Sequence, residues 1–325
     1  MVIDLINKLR FSNPWRFKAP LLLCWPYLLI YVTDTPKVDS LLFIALAYCT
    51  LFGIAALGYF INDIADITSD KAAGKPNKIG ELPVVLRILI FVALLLIAFI
   101  PWIWLPKDAI SLTLIIIEFF LFIIYSSPPF RLKEKGVLGV ITDSLYAYVV
   151  PATLASITFF YVGNKNYQLF LELIIVSTMW LFMVGLRGIL LHQLQDHQND
   201  LNAGVKTFVT KKGYTNGENL VKGLLQVEIL FFLLFLIFLL PELYLIIPCY
   251  ILFLIIRLHQ LRKNGEENDY RKFSYRLLDD FYLDFLPVLI LIHLALVYYL
   301  FLFILIAHLI LFRSFIRTII KRFIR

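Results

Sequence analysis

The stretch LLFIALAYCTLFGIAALGYFINDIADITSD, residues 41–70, decides how the rest of the chain is read. Residues 41–61 carry no charge, and Asp63, Asp66 and Asp70 follow at once. An uncharged run of about 20 residues is the length a helix needs to cross the hydrocarbon core of a bilayer. In lipid every backbone N–H and C=O must be bonded internally, and the run lacks the strict alternation of a barrel strand, so it is a helix. The aspartates therefore sit where that helix leaves the membrane.

The whole chain repeats this pattern. Of its 325 residues, 61% are hydrophobic and 16% charged, and the mean hydropathy is +0.84. Soluble domains carry roughly 25% charged residues, so lipid is the solvent here. Apolar runs predict about nine spanning helices, at roughly 19–33, 41–61, 83–103, 109–125, 137–161, 168–190, 220–240, 242–258 and 284–311. The seventh and eighth are parted only by a turn at Pro241-Glu242. Residues 1–18 hold Asp4, Lys8, Arg10, Arg16 and Lys18 without an apolar core, so the first span directs insertion. Cys24, Cys49 and Cys249 lie in apolar stretches with no CxxC spacing and read as small core residues.

Loop charge orients the chain. The loops at 1–18, 62–82, 126–136, 191–219 and 257–283 carry 4, 3, 3, 3 and 6 Lys and Arg, nineteen in all. The alternate loops carry Lys37, Lys107 and Lys165. Positive loops stay inside, which places the N-terminus and the aspartates in the cytoplasm of a multi-pass, prokaryotic-type cell membrane. The net charge of +7 follows from this topology and from phosphate handling, not from nucleic-acid binding. Nine spans would leave the C-terminus outside, yet the tail 312–325 holds Arg313, Arg317, Lys321, Arg322 and Arg325. The count and the tail conflict.

A second acidic segment ends the sixth span, RGILLHQLQDHQNDLNAGVK, residues 187–206. Asp66, Asp70, Ala73 and Gly74 coincide with Asp196, Asp200, Ala203 and Gly204 at an offset of 130. Both segments read D-x-x-x-D-x-x-A-G, which suggests an internal repeat of four helices, about 19–136 and 137–258, followed by a ninth helix at 284–311. Residues four apart share a helix face, so Asn62, Asp66 and Asp70 form one column, with Asp63 beside it. His192, Asp196 and Asp200 form another. Stacked carboxylates repel and are costly at a membrane boundary. A hard divalent cation offsets both effects. Mg²⁺ takes oxygen ligands and bridges one or two carboxylates to substrate phosphates. Asn62, Asp63, Asp66, Asp70, Asp196 and Asp200 are the candidate metal ligands, and Asp66, Asp70, Asp196 and Asp200 the candidate catalytic residues.

The order N-D-x-x-D-x-x-x-D (Asn62 to Asp70), YSSPPFRLK (Tyr125 to Lys133) and D-x-x-x-D (Asp196 to Asp200) resembles the UbiA superfamily of intramembrane prenyltransferases. The resemblance implies an all-α polytopic protein with helices around a central cavity, Mg²⁺ dependence and a prenyl diphosphate donor. It also implies a lipophilic acceptor and a tunnel open to membrane lipids. On this view Lys71, Lys75, Arg131 and Lys133, with Tyr125, Arg187 and His192, bind substrate. Two departures stand out: Asn77-Lys78-Ile79 replaces the common N-R-P, and His192-Gln193 stands at the Asn-Asp position of the second half. They leave the ligands intact and the acceptor open.

Some residues have two readings. Basic residues at helix ends also serve as topology signals. Arg187, inside a span, needs either an interior partner such as Glu118 or Asp143 or a ligand contact. Asp143 either orients an acceptor or stabilises a helix start. His293, His308 and Glu228 read as structural, and 259–283 as a solvated loop or a cap. The expected activity is Mg²⁺-dependent prenyl transfer. The alternatives are a terpene cyclase, a polyprenyl-phosphate phosphoribosyltransferase on the same fold, and a membrane transporter.

Overall fold

The computed structural model describes residues 18–32, 37–72, 74, 76–160, 167–202, 204–243, 246–263, 275, 278–279 and 281–312. Every regular element among them is helical. In chain order the α-helices are α1 (Ala19–Val32), α2 (Lys37–Ala65), α3 (Ile67–Ala72), α4 (Val84–Phe99), α5 (Ala109–Ser126), α6 (Val137–Ser144) and α7 (Val150–Phe160). They continue as α8 (Tyr167–Gln195), α9 (His197–Asn202), α10 (Phe208–Lys212), α11 (Tyr214–Leu243), α12 (Ile246–Lys263), α13 (Leu286–Val297) and α14 (Phe301–Leu311).

Six stretches among the described residues are long and apolar enough to cross a membrane: Asp39–Ala65, Val84–Ile103, Ala109–Ser126, Val137–Phe160, Phe170–Gln195 and Tyr214–Ile237. Shorter apolar helices fill the remaining predicted positions. Large apolar side chains point away from the bundle, with Val85 70%, Ile116 69% and Leu296 79% exposed. Water would not tolerate so continuous an apolar surface, so the protein is an integral membrane protein. Helix α1 runs through the interior, where Trp25 packs edge-on against Trp180 and Phe235 at 6.3 and 5.3 Å. Gly53 lets α2 approach α4 closely, since a Cβ there would lie 2.4 Å from the Ala98 nitrogen.

Several boundaries differ from the sequence reading. The predicted turn at Pro241-Glu242 is not one, because α11 continues to Leu243. A proline two residues from a helix end leaves most of the ladder upstream untouched. The fifth span is not a uniform helix. It widens into a π turn at Leu145–Val149, two residues ahead of Pro151. A proline has no N–H for the residue four before it, and a π turn absorbs the mismatch. The same combination recurs at Phe281–Phe285, two residues ahead of Pro287.

The predicted ninth helix, 284–311, is two helices. Tyr298 is extended (φ −133°, ψ 97°), and α14 starts again at Phe301. Helix α14 packs against α13. Its His308 Nδ1 lies 3.1 Å from Tyr27 Oη and 3.3 Å from Tyr48 Oη, and the two tyrosines bond each other. Tyr48 is about 21 Å along α2 from Asn62, so His308 lies at that depth. Residues 281–297 start beside Trp180, already deep in the bundle, and extend about 24 Å along their helix. Continuing outward would carry His308 about 15 Å beyond Tyr298 and away from both tyrosines. The chain therefore turns back at Tyr298–Leu300 and lays α14 against α13. The basic tail beyond it lies outside the described residues.

Candidate active site

Helix α2 ends at Ala65, Asp66 forms a turn, and α3 restarts at Ile67. Helix α8 ends at Gln195, Asp196 forms a bend, and α9 restarts at His197. The i→i−4 bonds persist through both breaks. Asp66 N donates to Asn62 O (3.0 Å) and Asp70 N to Asp66 O (2.8 Å). Asp196 N donates to His192 O (3.0 Å) and Asp200 N to Asp196 O (2.8 Å). Each column is thus bent at its first aspartate rather than straight. Each short helix then closes on a left-handed glycine, Gly74 at φ +65° and Gly204 at φ +68°, a conformation that favours residues without a Cβ.

The two bends face one cavity of about 880 Å³. Asn62, Asp66, Asp70, His192, Asp196 and Asp200 line it, as do Tyr125, Arg131 and Lys133. Asp63 does not line it. It is 6% exposed, and one residue on from Asn62 it is turned about 100° from the column. Lys71 follows Asp70 in the same way and is exposed to solvent rather than lining the cavity. Lys75 lies outside the described residues.

The loop after α5 supplies the positive charge. Arg131 takes the left-handed region at φ +42°, uncommon for a side chain of its size. Its Nη2 then reaches Asp66 Oδ1 at 2.9 Å while Nε pairs with Glu134 at 2.5 Å. Lys133 Nζ reaches both Asp66 oxygens, at 2.7 and 2.6 Å, and Asn62 Oδ1 at 3.0 Å. Burial lowers the Lys133 pKa below the usual lysine value, and the Asp66 carboxylate pulls the other way without reversing it. Ser126 Oγ donates to Asn62 Oδ1 at 3.2 Å. Asn77, the residue kept from N-R-P where Lys78 and Ile79 depart, donates to Asp70 Oδ2 and Asp63 O, both at 2.8 Å. It therefore holds the loop against the acidic column.

The second half is more open. The His192 Nδ1 to Asp196 Oδ2 distance is 3.5 Å, and the Asp196 side chain is 45% exposed against 16% for Asp66. Gln193 is buried and accepts from Val209 N at 3.3 Å, so it braces α10.

Arg187 pairs with neither Glu118 nor Asp143, and it does not line the cavity. Its guanidinium holds Glu228 through Nε (2.6 Å) and Nη2 (2.9 Å), Asp279 through Nη2 (2.6 Å) and Tyr275 O through Nη1 (2.7 Å). Its position is structural, and it fixes Asp279, which does line the cavity. Deeper in, the sequence reading missed several wall residues: Lys18, Tyr59, Tyr146, Tyr148 and Tyr282. The π turns carry the last three, so an aromatic pair just before an in-span proline was the available signal. Tyr146 donates to Asp143, and Lys18 Nζ is 3.8 Å from Asp143 Oδ2.

Among the described residues no three His, Cys, Asp or Glu side chains cluster tightly enough to enclose a metal ion. The donors at the mouth are hard oxygens on two opposed walls. Such a set suits a cation that keeps waters and shares phosphate oxygens, as Mg²⁺ does with one or two carboxylates.

Residues 23–286 match the profile of the UbiA prenyltransferase family. A UbiA homologue from Archaeoglobus fulgidus, solved with GPP and Mg²⁺, superposes with a TM-score of 0.56 at 18% identity, over 87% of this chain and 99% of that one. A structure described as digeranylgeranylglyceryl phosphate synthase gives 0.54 at 17%, over 88% and 95%. A homologue from Aeropyrum pernix K1 gives 0.54 at 13%, over 85% and 96%. No curated protein sequence matches the chain. At these identities the structural likeness shows the fold.

Proposed function

The chain belongs to the UbiA prenyltransferase family, and from that premise we propose that it transfers a prenyl group from a prenyl diphosphate to a lipophilic acceptor inside the membrane. The observation that carries this reading is the meeting of two bent aspartate segments and the Arg131–Lys133 loop at the mouth of one cavity. The A. fulgidus homologue was solved with GPP and with DMAPP, each with Mg²⁺, and the donors here suit the same class of ligand. We place the mouth at the cytoplasmic face by the Lys and Arg asymmetry of the loops.

Asn62, Asp66 and Asp70 on one wall, with Asp196 and Asp200 on the other, would hold Mg²⁺. When bound, Mg²⁺ neutralises diphosphate charge and stabilises the leaving group. Lys133 and Arg131 already crowd one carboxylate with two cations, and each has donors to offer phosphate oxygens. Donors fixed before the reaction stabilise charge as it develops. Below the mouth the wall turns aromatic with Tyr59, Phe122, Tyr125, Tyr146 and Tyr148. Their faces attract the positive charge that builds at the allylic carbon as its C–O bond weakens. The surrounding apolar residues exclude water that would otherwise capture that carbon. The acceptor then forms the new bond to that carbon and gives up its proton to the departing diphosphate, which leaves toward the mouth.

The test is release of diphosphate from geranyl or geranylgeranyl diphosphate by the full chain in nanodiscs with Mg²⁺. Asp66→Ala and Asp196→Ala should each lower the rate at least 100-fold. Near wild-type turnover in either would sink the assignment.

A further inference from the structure

Buried charges in this protein are generally answered. Arg187 meets Glu228 and Asp279, and Asp143 meets Tyr146 and Lys18. Glu118 differs. It lies in the cavity wall on α5, is 2% exposed, and neither carboxyl oxygen has a hydrogen-bond partner among the described residues. A buried carboxyl group with nothing bonded to it is costly to the fold. Its apolar neighbours on the helix show that any aliphatic residue would have filled the position.

The location limits what could answer it. Glu118, Phe122, Tyr125 and Ser126 share one face of α5, and Ser126 bonds Asn62 at the mouth. Glu118 therefore sits about 12 Å down the helix from the mouth, past the aromatic wall. Lys18, Asp143 and Tyr59 line the same space. The Lys18 ammonium is engaged, 3.8 Å from Asp143 and 5.7 and 5.5 Å from the ring centres of Tyr146 and Tyr148. The deep end thus sets Glu118 and Asp143 against one ammonium, which sits beside Asp143 and also attracts Glu118 without a hydrogen bond, while Asp279 on the same wall is held by Arg187.

We propose that this deep end is the acceptor subsite, and that it takes an uncharged acceptor presenting an O–H or N–H to Glu118 while rejecting one that carries a carboxylate or phosphate. The inference rests on the prenyl-transfer reading and names its second substrate by chemical class. A donor on the ligand satisfies Glu118. An anion would meet it and Asp143, and Lys18, the ammonium described in this space, is already paired with Asp143. Sites built around a buried polar group discriminate strongly against ligands that leave it unpaired.

The test is equilibrium binding of three single-ring probes to the full chain in nanodiscs with Mg²⁺: hydroquinone, 2,5-dihydroxybenzoate and 1,4-dimethoxybenzene. Hydroquinone should bind at least tenfold more tightly than either of the others. Glu118→Gln keeps the shape and puts an amide N–H donor where the carboxyl group stood, and should narrow the gap between hydroquinone and the benzoate at least fivefold. The comparison on the wild-type chain stands even if the variant does not fold. Binding of geranyl diphosphate to the same wild-type sample separates the two readings. If the donor does not bind, prenyl transfer fails and this inference fails with it. If the donor binds but the probes bind alike, or the benzoate binds best, or none binds, the subsite assignment alone is overturned.

Discussion

Lys133 and Arg131 both reach Asp66, with Lys133 at 2.6 Å and Arg131 at 2.9 Å. Asp66, Asp70, Glu134, Asp196 and Asp200 outnumber these two cations at the mouth, so a polyanion would need both the cations and bound Mg²⁺ to be held there. Lys133→Met should therefore raise the KM for the prenyl diphosphate about tenfold or more, since charge-assisted bonds contribute roughly 1.5–3 kcal/mol each. Lys133→Arg should recover part of that loss in the same assay. Arg187 calls for a different measurement. Removing one partner from a buried pair costs about 3–5 kcal/mol, whereas replacing both by apolar residues is often neutral. Arg187→Met should lower thermal stability sharply, and Arg187→Met combined with Glu228→Met should regain much of it. The aspartate columns could be read from sequence because i, i+4 spacing is local. The partners of Arg187 could not, because Glu228 and Asp279 lie 41 and 92 positions away.

Most helices were legible because hydropathy summed over about 20 residues is a property of composition. What interrupts them was harder to see. The bends at Asp66 and Asp196 keep their i→i−4 bonds, so no glycine or proline announces them. The π turns at Leu145–Val149 and Phe281–Phe285 depend on what lies behind them, although Pro151 and Pro287 hint at both. The shared bend, six-residue helix and left-handed glycine at an offset of 130 support the proposal that the two halves are a repeat. That shared ending can be tested. Gly74→Val forces a β-branched side chain to φ +65°, at a cost of roughly 1–2 kcal/mol. It should weaken diphosphate release while the spans still fold, as read by circular dichroism. Gly53→Leu acts elsewhere. It pushes α2 off the Ala98 backbone and should lower stability without reaching the mouth.

At the scale of the molecule, the basic tail and the span count conflict only while 284–311 is one helix. Val297-Tyr-Tyr-Leu-Phe301 contains no glycine, proline or asparagine, the residues that mark turns in sequence, so hydropathy runs straight through it. The reversal is fixed instead by distant contacts. His308 meets Tyr27 and Tyr48, 281 and 260 positions away. With α14 laid back against α13, we propose that the chain beyond Phe312 returns to the face that carries the aspartates. Arg313, Arg317, Lys321, Arg322 and Arg325 would then follow the same positive-inside rule as the other basic loops. Single cysteines in a background lacking Cys24, Cys49 and Cys249 can check this in intact cells with a membrane-impermeant maleimide. Ser314→Cys and Thr215→Cys should both be protected until the membrane is opened, and Lys107→Cys should label at once. Labelling of Ser314→Cys in intact cells would put the tail on the far face and remove the reversal from the topology.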